Sequence, residues 1–265
     1  MKPDTAKQEQ EAGKVKPELC RTTAPEEPPG CGAGIRIQRL LSAGGVSSRR
    51  GAEKLIISGR VTVNRIPVKL GQRVDPELDE IAVDGIPLAP AGDPVYLMLN
   101  KPRGYITTMN DERGRKSVMC LVGDAGVRVF PVGRLDMDSE GLLLMTNDGK
   151  FAHAVAHPSG NKTKIYEVCV EGDAAGSVTV LREPMVIDAV TIKADSVMLV
   201  KRQPSGGILR IAVFEGRNRQ IRKMCAKCGL KVTSLKRVAI GNLELGSLRT
   251  GQWRHLTAEE VRFFG

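Results

Sequence analysis

The chain has 265 residues, with 40 Lys and Arg against 30 Asp and Glu and a formal net charge of +10. Hydrophobic residues at 41% supply a sizeable core and charged residues at 26% are ordinary for a folded chain, so wholesale disorder is excluded. No apolar run approaches the ~20 residues needed to cross a bilayer, and the excess of positive charge favours a polyanion such as nucleic acid as partner. The opening Met1-Lys-Pro-Asp-Thr5 lacks the apolar core of a secretory signal, and its acid is unlike a transit peptide. Six cysteines (Cys20, Cys31, Cys120, Cys169, Cys225, Cys228) in a chain this long are not a disulfide scaffold; a reducing cytoplasm is the expected setting. Residues 1–34 read as a disordered tail, poor in branched apolar residues and ending in a Pro- and Gly-rich run.

Residues 35–88 form a small module. Ile37, Leu40 and Leu41 make a short helical stripe closed by Gly44-Gly45, and Ser47 or Ser48 caps a second helix burying Ala52, Leu55 and Ile56. Arg50 and Lys54 lie opposite that stripe, with Arg49 on the flank. Short strands follow at Arg60–Val63, Pro67–Val68 and Ile81–Val83, with turns at Asn64-Arg65 and Asp84-Gly85. The basic face suits RNA backbone, or it is simply solvated. Arg39-Leu-Leu41, Gly45-Val46, Ser48-Arg-Arg50, Ala52-Glu53, Leu55-Ile56 and Ser58-Gly-Arg-Val-Thr-Val-Asn64 resemble the S4 RNA-binding domain, a small helix–helix–hairpin fold. Arg65 departs from the Gly that many members carry there. The resemblance implies RNA contacts from Arg36, Arg39, Arg49, Arg50, Lys54 and Arg60.

Residues 89–94, Ala-Pro-Ala-Gly-Asp-Pro, read as a linker. Strand signals in 95–265 fall at Val95–Leu99, Arg128–Val132, Gly141–Met145, Lys164–Val170, Ile208–Phe214 and Val238–Ile240. Helices are expected over Lys150–Ala156 and Gln220–Cys228, and from Thr257, where Glu260 completes a capping box. Strands outnumber helices without βαβ alternation, so the fold class is α+β, with flanking helices on a mixed, mostly antiparallel sheet. Cys225 and Cys228 have zinc-ligand spacing, but with Ile221 and Met224 they fall on one buried helical stripe and read as core thiols. His153, His157 and His255 make no ligand pattern, and no phosphate-cradling Gly-rich loop or Gly-x-Ser-x-Gly elbow is present.

What remains is a carboxylate in a loop between two apolar strands: Val132-Gly-Arg-Leu-Asp-Met-Asp-Ser-Glu-Gly-Leu142. Arg134 stands two residues before Asp136, and a nearby cation keeps a carboxylate ionised, as a nucleophile requires. With Asp138 or Glu140, Asp136 also suits the acid–base pair of a glycoside hydrolase; the plain alternative is a turn cap paired with an arginine.

Lys101-Pro-Arg-Gly104, Pro131-Val-Gly-Arg-Leu-Asp136, Asp138-Ser-Glu-Gly-Leu-Leu-Leu144, Lys164-Ile-Tyr166, Glu215-Gly-Arg-Asn-Arg-Gln-Ile-Arg-Lys-Met224, Leu235-Lys-Arg237, Ile240-Gly241 and Gly251-Gln-Trp-Arg-His-Leu-Thr257 occur in order. Together they resemble the ribosomal RNA pseudouridine synthases of the RsuA family, and most of all their large-subunit synthase B branch. The resemblance implies isomerisation of one uridine, of 23S RNA in that branch, to pseudouridine. Asp136 is then the nucleophile, with Arg134 beside it, Tyr166 the aromatic that stacks on uracil, and Arg222, in preference to its alternative Arg219, the partner of the nucleophile. Lys101, Arg103, Arg217, Arg219 and Lys223 are then RNA contacts. No cofactor or metal is expected, and the partner is ribosomal RNA or a subunit assembly intermediate, met by a monomer. A non-catalytic RNA-binding assembly factor on the same scaffold is the alternative.

Overall fold

The computed structural model describes residues 34–89, 92–156 and 162–264. The expected tail up to Ala33, part of the expected linker, and His157 lie outside the described residues.

The N-terminal module begins with β1 (Ile35–Arg36), α1 (Ile37–Ala43) and α2 (Arg49–Ile57). Ile37 and Leu41, and then Ala52 and Ile56, sit four residues apart and so share one buried face on each helix. Ser48 Oγ accepts from Gly51 N at 3.0 Å and caps α2. Five short strands follow: β2 (Val61–Val63), β3 (Ile66–Pro67), β4 (Arg73–Val74), β5 (Ile81–Val83) and β6 (Ile86–Pro87). β1 pairs with β4, and the other four form one antiparallel sheet in the order β3-β2-β5-β6. Both hairpin turns are left-handed at two residues, with φ of 51° and 67° at Asn64-Arg65 and 52° and 79° at Asp84-Gly85, the geometry that matches strand twist. Arg65 therefore occupies a conformation that favours glycine. The turn persists because the Asn64 side chain is pinned, donating to Asp79 Oδ1 and accepting from Glu80 N, each at 2.9 Å.

The rest is built on a nine-stranded sheet among the described residues. Its elements are β7 (Tyr96–Lys101), β8 (Phe130–Val132), β9 (Glu140–Thr146), α3 (Gly149–Ala156), β10 (Lys164–Glu171), α4 (Ala174–Arg182), β11 (Met185–Ile187), β12 (Val190–Ile192), β13 (Ser196–Gln203), β14 (Gly206–Val213), α5 (Gln220–Lys227), β15 (Lys231–Ile240), β16 (Leu243–Glu244), β17 (Trp253–His255) and α6 (Ala258–Phe264). The strand order is β13-β14-β10-β15-β9-β7-β17, with β16 beside β15 and β8 beside β9; β11 and β12 form a separate hairpin. All pairs are antiparallel except β9 with β15, joined in parallel at Lys236–Glu140 and Arg237–Gly141. That pair is the seam between the two halves of the sheet.

Both faces of the seam are covered, so Gly141-Leu-Leu-Leu-Met145 is an unbroken apolar run. Leu143 and Met145 join one core with α4 and α5 (Ala174, Leu181, Ile221, Met224, Cys225). Leu142 and Leu144 join the other with α3 and α6 (Phe151, Val155, Phe264). Phe151 meets Phe264 edge-on at 5.7 Å, each such buried ring contributing about 2–3 kcal/mol of apolar burial. The expected capping box is present: Thr257 N donates to Glu260 Oε2 at 2.8 Å and Glu260 N to Thr257 Oγ1 at 3.2 Å. Cys225 is buried in the first core, which pushes its thiol up to about 12.

Several elements of this part depart from expectation. α4, β11–β12 and β13 fill a stretch for which no element is expected, and β15 extends N-terminally to Lys231. α4 carries a glycine and three β-branched residues, so its intrinsic helix preference is low; Asp173 Oδ1 capping Gly176 N at 2.9 Å and the burial of Ala174 and Leu181 hold it.

Candidate active site

The loop between β8 and β9 carries Asp136, and its backbone is tied at each residue from Leu135 to Ser139. Leu135 O accepts from Thr107 Oγ1 at 2.7 Å, Asp136 O from Lys101 Nζ at 3.0 Å, and Met137 O from Gly104 N at 2.8 Å. Asp138 O accepts from Arg222 Nη2 at 2.8 Å and Ser139 O from Lys101 Nζ at 2.7 Å. Five consecutive carbonyls thus have side-chain or backbone donors, and the Asp136 carboxyl, 30% exposed, is the part left to react. A reactive group held on a locked loop loses little entropy when it meets its target.

Asp136 opens into a cleft of about 510 Å³, a size suited to a small ligand or one nucleotide. Tyr166, Leu235 and Ile240 give it an apolar wall; Arg134, Arg217, Arg219 and Arg237 make it basic. Tyr166 lies on β10 with Val168 and Val170, all buried on one face, so it is both core and cleft wall. A register shift between Ile165 and Tyr166 marks a bulge there, a common way to re-aim a side chain. Its cross-strand neighbour is Arg237, so the two project beside the seam together.

The cations are arranged differently from expectation. Arg219 Nη1 is 3.8 Å from Asp136 Oδ2, and Arg219 Nη2 is 3.0 Å from Asp138 Oδ2. Arg222, 12% exposed, places Nε 3.3 Å from Asp138 Oδ2 and does not pair with Asp136. The pairing assigned to Arg222 therefore falls to Arg219, because Arg222 is turned to hold the Asp138 carbonyl and that of Val232. Arg134 lines the cleft but makes no ion pair with Asp136 among the described residues. Burial pushes the Asp138 carboxyl up, but the Arg219 hydrogen bond and the charges of Arg222 and Arg219 outweigh it and hold it below the usual range. Burial lowers the Arg222 guanidinium, with Asp138 opposing; the hydrogen bond to Asp138 raises that of Arg219. Arg219 is also left-handed (φ 51°), a strained conformation for a non-glycine residue that places it at the start of α5.

A second correction concerns Lys101. It is fully buried and spends Nζ on three carbonyls, including Pro102 O at 3.1 Å, so it is no contact for RNA backbone. Burial pushes its ammonium down to about 8. Other cations named from the sequence are exposed or half-buried, and occupied. Arg60 makes a two-point pair with Asp84 (2.7 and 2.5 Å), Arg217 meets Glu215 at 2.5 Å, Lys223 pairs with Asp188, and Arg103 donates to Thr233 O at 3.2 Å. Arg36, Arg39, Arg49, Arg50 and Lys54 are exposed on the N-terminal module. Among the described residues no group of three or more His, Cys, Asp or Glu side chains is placed to hold a metal ion.

Comparison with known proteins bears on this constellation directly. Residues 95–227 match the RNA pseudouridylate synthase family model, and residues 35–79 match the S4 domain. An uncharacterized RNA pseudouridine synthase of Aquifex aeolicus (strain VF5) is 40% identical over 230 residues, covering 86% of this chain and 92% of its own. The chain belongs to the RsuA family of RNA pseudouridine synthases. The ribosomal large subunit pseudouridine synthase B of Bacillus subtilis (strain 168) is 38% identical over 231 residues, 86% of this chain and 94% of that one. A crystal structure of a pseudouridylate synthase superposes with a TM-score of 0.60 at 27% identity, covering 87% of this chain and all of that one. As a member of the family the chain is an isomerase that turns uridine in RNA into pseudouridine.

Sequence reasoning passes over one residue of this synthase's cleft. Arg237 is 4% exposed, lines the cleft, donates Nε to Leu142 O at 2.7 Å, and leaves Nη2 without a partner. The signal is a charge on the buried phase of a strand: Leu235, Arg237 and Ala239 alternate inward along β15.

Proposed function

We propose that this synthase modifies one uridine of ribosomal RNA, in the 23S RNA of the large subunit, with Asp136 as its nucleophile. The observation that carries this reading is a carboxylate lining a basic cleft, on a loop whose carbonyls from Leu135 to Ser139 are held. The large-subunit target rests on the Bacillus subtilis relative, a ribosomal large subunit pseudouridine synthase B by name. Residues 35–88 serve as the RNA-holding domain and 95–265 as the catalytic domain, joined by 89–94; ribosomal RNA or an assembling subunit is the partner, in the cytoplasm. No described helix is long and apolar enough to cross a membrane.

Isomerisation exchanges the C1′–N1 glycosidic bond of uridine for a C1′–C5 bond within one nucleotide. The target base must first leave its stack, at a cost of a few kcal/mol. In this cleft the uracil ring lies against Tyr166, while Arg134, Arg217 and Arg219 meet the sugar–phosphate charge. The unpaired Arg237 Nη2 gains an oxygen acceptor from the bound nucleotide, which removes the cost of a buried orphan donor. Asp136 then acts as an anion at C1′, at C6, or through a glycal; all three need an ionised carboxylate within reach of the everted nucleoside. Arg219 is near enough to stabilise that charge.

The hydrolase alternative finds no proton donor in Asp138. Such a mechanism needs a second carboxyl kept protonated, yet Asp138 is clamped between two arginines and held below its ordinary value. Mapping pseudouridine in ribosomal RNA from cells with and without this protein tests the proposal. One 23S position should lose its modification in the deletion strain; identical maps contradict it.

A further inference from the structure

The active cleft continues past its own rim. Val132, Gly133 and Ala156 line both the cleft of Asp136 and a second cavity of about 390 Å³. Ser42, Arg49, Phe130, Asn147 and Gly149 line that cavity and a third of about 330 Å³. The three form one furrow that runs along α3 from Asp136 to Arg39 and Lys150.

Its middle chamber has two kinds of wall. The floor comes from β8, α3 and the loop before β8, with Phe130, Ala152 and Met109, and it is mainly apolar. The rim is cationic, with Arg49 from α2 of the N-terminal module and Arg128 from the approach to β8. Arg128 Nη1 donates to Gly45 O at 2.9 Å, which fastens the α1–α2 loop over the chamber. On the other side, Arg49 Nη2 lies 3.5 Å from the point where a side chain on Gly149 would begin. At the far end the one carboxylate, Asp148, is engaged by Tyr96 Oη at 3.1 Å and by Lys150 N at 2.7 Å. An aromatic floor under paired guanidinium groups is the chemistry that holds single-stranded nucleic acid: bases stack and phosphates pair with the rim.

We propose that this furrow holds the unpaired stretch of RNA next to the target uridine, with one base lying on Phe130 and its phosphates between Arg49 and Arg128. The inference rests on the reading of the Asp136 cleft as the target-nucleotide site and adds a second nucleotide subsite to it. Because Arg49 of the rim belongs to the N-terminal module and the floor to the catalytic one, the complete subsite exists only when the two are docked. Docking thus couples recognition by the N-terminal module to placement of the uridine.

The test uses the full chain and a single-stranded oligouridylate of about nine nucleotides, within the range of such sites, carrying 4-thiouridine. Photocross-linking and peptide mass spectrometry should find adducts on the peptides of Met109 or Phe130 as well as in the Asp136 cleft. Phe130→Leu should weaken binding of the oligonucleotide about tenfold, as expected for one lost stacking platform, and Phe130→Trp should restore it. Cross-links confined to the Asp136 cleft overturn the furrow, as does full affinity in Phe130→Leu. An oligonucleotide that fails to enter, leaving the groove to a peptide partner, overturns it as well. These outcomes leave the proposed reaction standing. Cross-links in the furrow together with unchanged ribosomal RNA maps support the furrow and defeat the reaction.

Discussion

Lys101 has no exposed surface, and its ammonium has exchanged water for the carbonyls of Pro102, Asp136 and Ser139. Three protons meet three acceptors, so the charge is fully used. In Lys101-Pro-Arg-Gly104 this lysine reads as a surface charge for RNA, because β7 is buried on both faces and shows no alternation to mark its end residue as interior. Lys101→Met strands carbonyls of the catalytic loop. With roughly 1–3 kcal/mol lost per orphaned buried acceptor and some relief from removing a buried charge, a net loss of about 2 kcal/mol is expected in urea unfolding at pH 7, with a fall in kcat. The pH dependence has a definite sign. Lys101 ionises at about 8 when folded, against 10.5 as its ordinary value, so between those limits the unfolded chain binds more protons. Stability of the wild type relative to Lys101→Met should therefore rise from pH 8 to 10.5 and stay level below pH 8. A difference that falls over that interval contradicts the buried-ammonium account.

The seam between β9 and β15 is the element on which the site depends. Gly141 has φ of 100°, and a Cβ there would lie 2.2 Å from Arg237 O and 2.8 Å from Arg237 N. Both are backbone atoms that cannot swing away, and Arg237 is the cross-strand partner of Tyr166. Gly141→Ala should cost about 3 kcal/mol or more and reduce activity beyond the loss of folded protein, because the seam must open. Gly123→Ala, with ordinary φ and nothing within 4 Å of the new carbon, should shift stability by under about 0.5 kcal/mol. Equal urea midpoints for the two variants would refute this. The seam also marks how far sequence carries. Helices α3 and α6 are legible from turn or capping residues at their starts, and α5 from its 3.6-residue stripe, all of which stand in the chain itself. The loop of Asp136 was legible by its motif. The parallel pairing of β9 with β15 was not, since Glu140 and Lys236 meet only in three dimensions. For the same reason the choice of Arg219 over Arg222 beside Asp136 follows from the left-handed turn at Arg219, which no spacing rule reveals.

At the scale of the whole molecule, a net charge of +10 is spread unevenly in its usefulness. Arg49, Arg50 and Lys54 present open cations along α2, whereas Arg60 is already held by Asp84 in a two-point pair. Counterion release lowers log affinity by roughly 0.7 per phosphate contact per decade of salt for single strands, and somewhat more for duplex. Replacing Arg49, Arg50 and Lys54 together by alanine should flatten the salt slope of RNA binding by about 2, while Arg60→Ala leaves it nearly unchanged. Equal slopes in all proteins would remove the N-terminal module from the RNA interface.

The nucleophile is the claim on which the rest depends, and Asp136→Asn in the purified protein tests it most directly. Asparagine keeps the size of the side chain and removes its charge, and the five carbonyl bonds of the loop are untouched. The variant should keep its circular dichroism and its RNA affinity within about twofold, an allowance for context. It should form no detectable pseudouridine in ribosomal RNA that the wild type modifies. Pseudouridine formed by Asp136→Asn at a rate near that of the wild type would contradict the assignment.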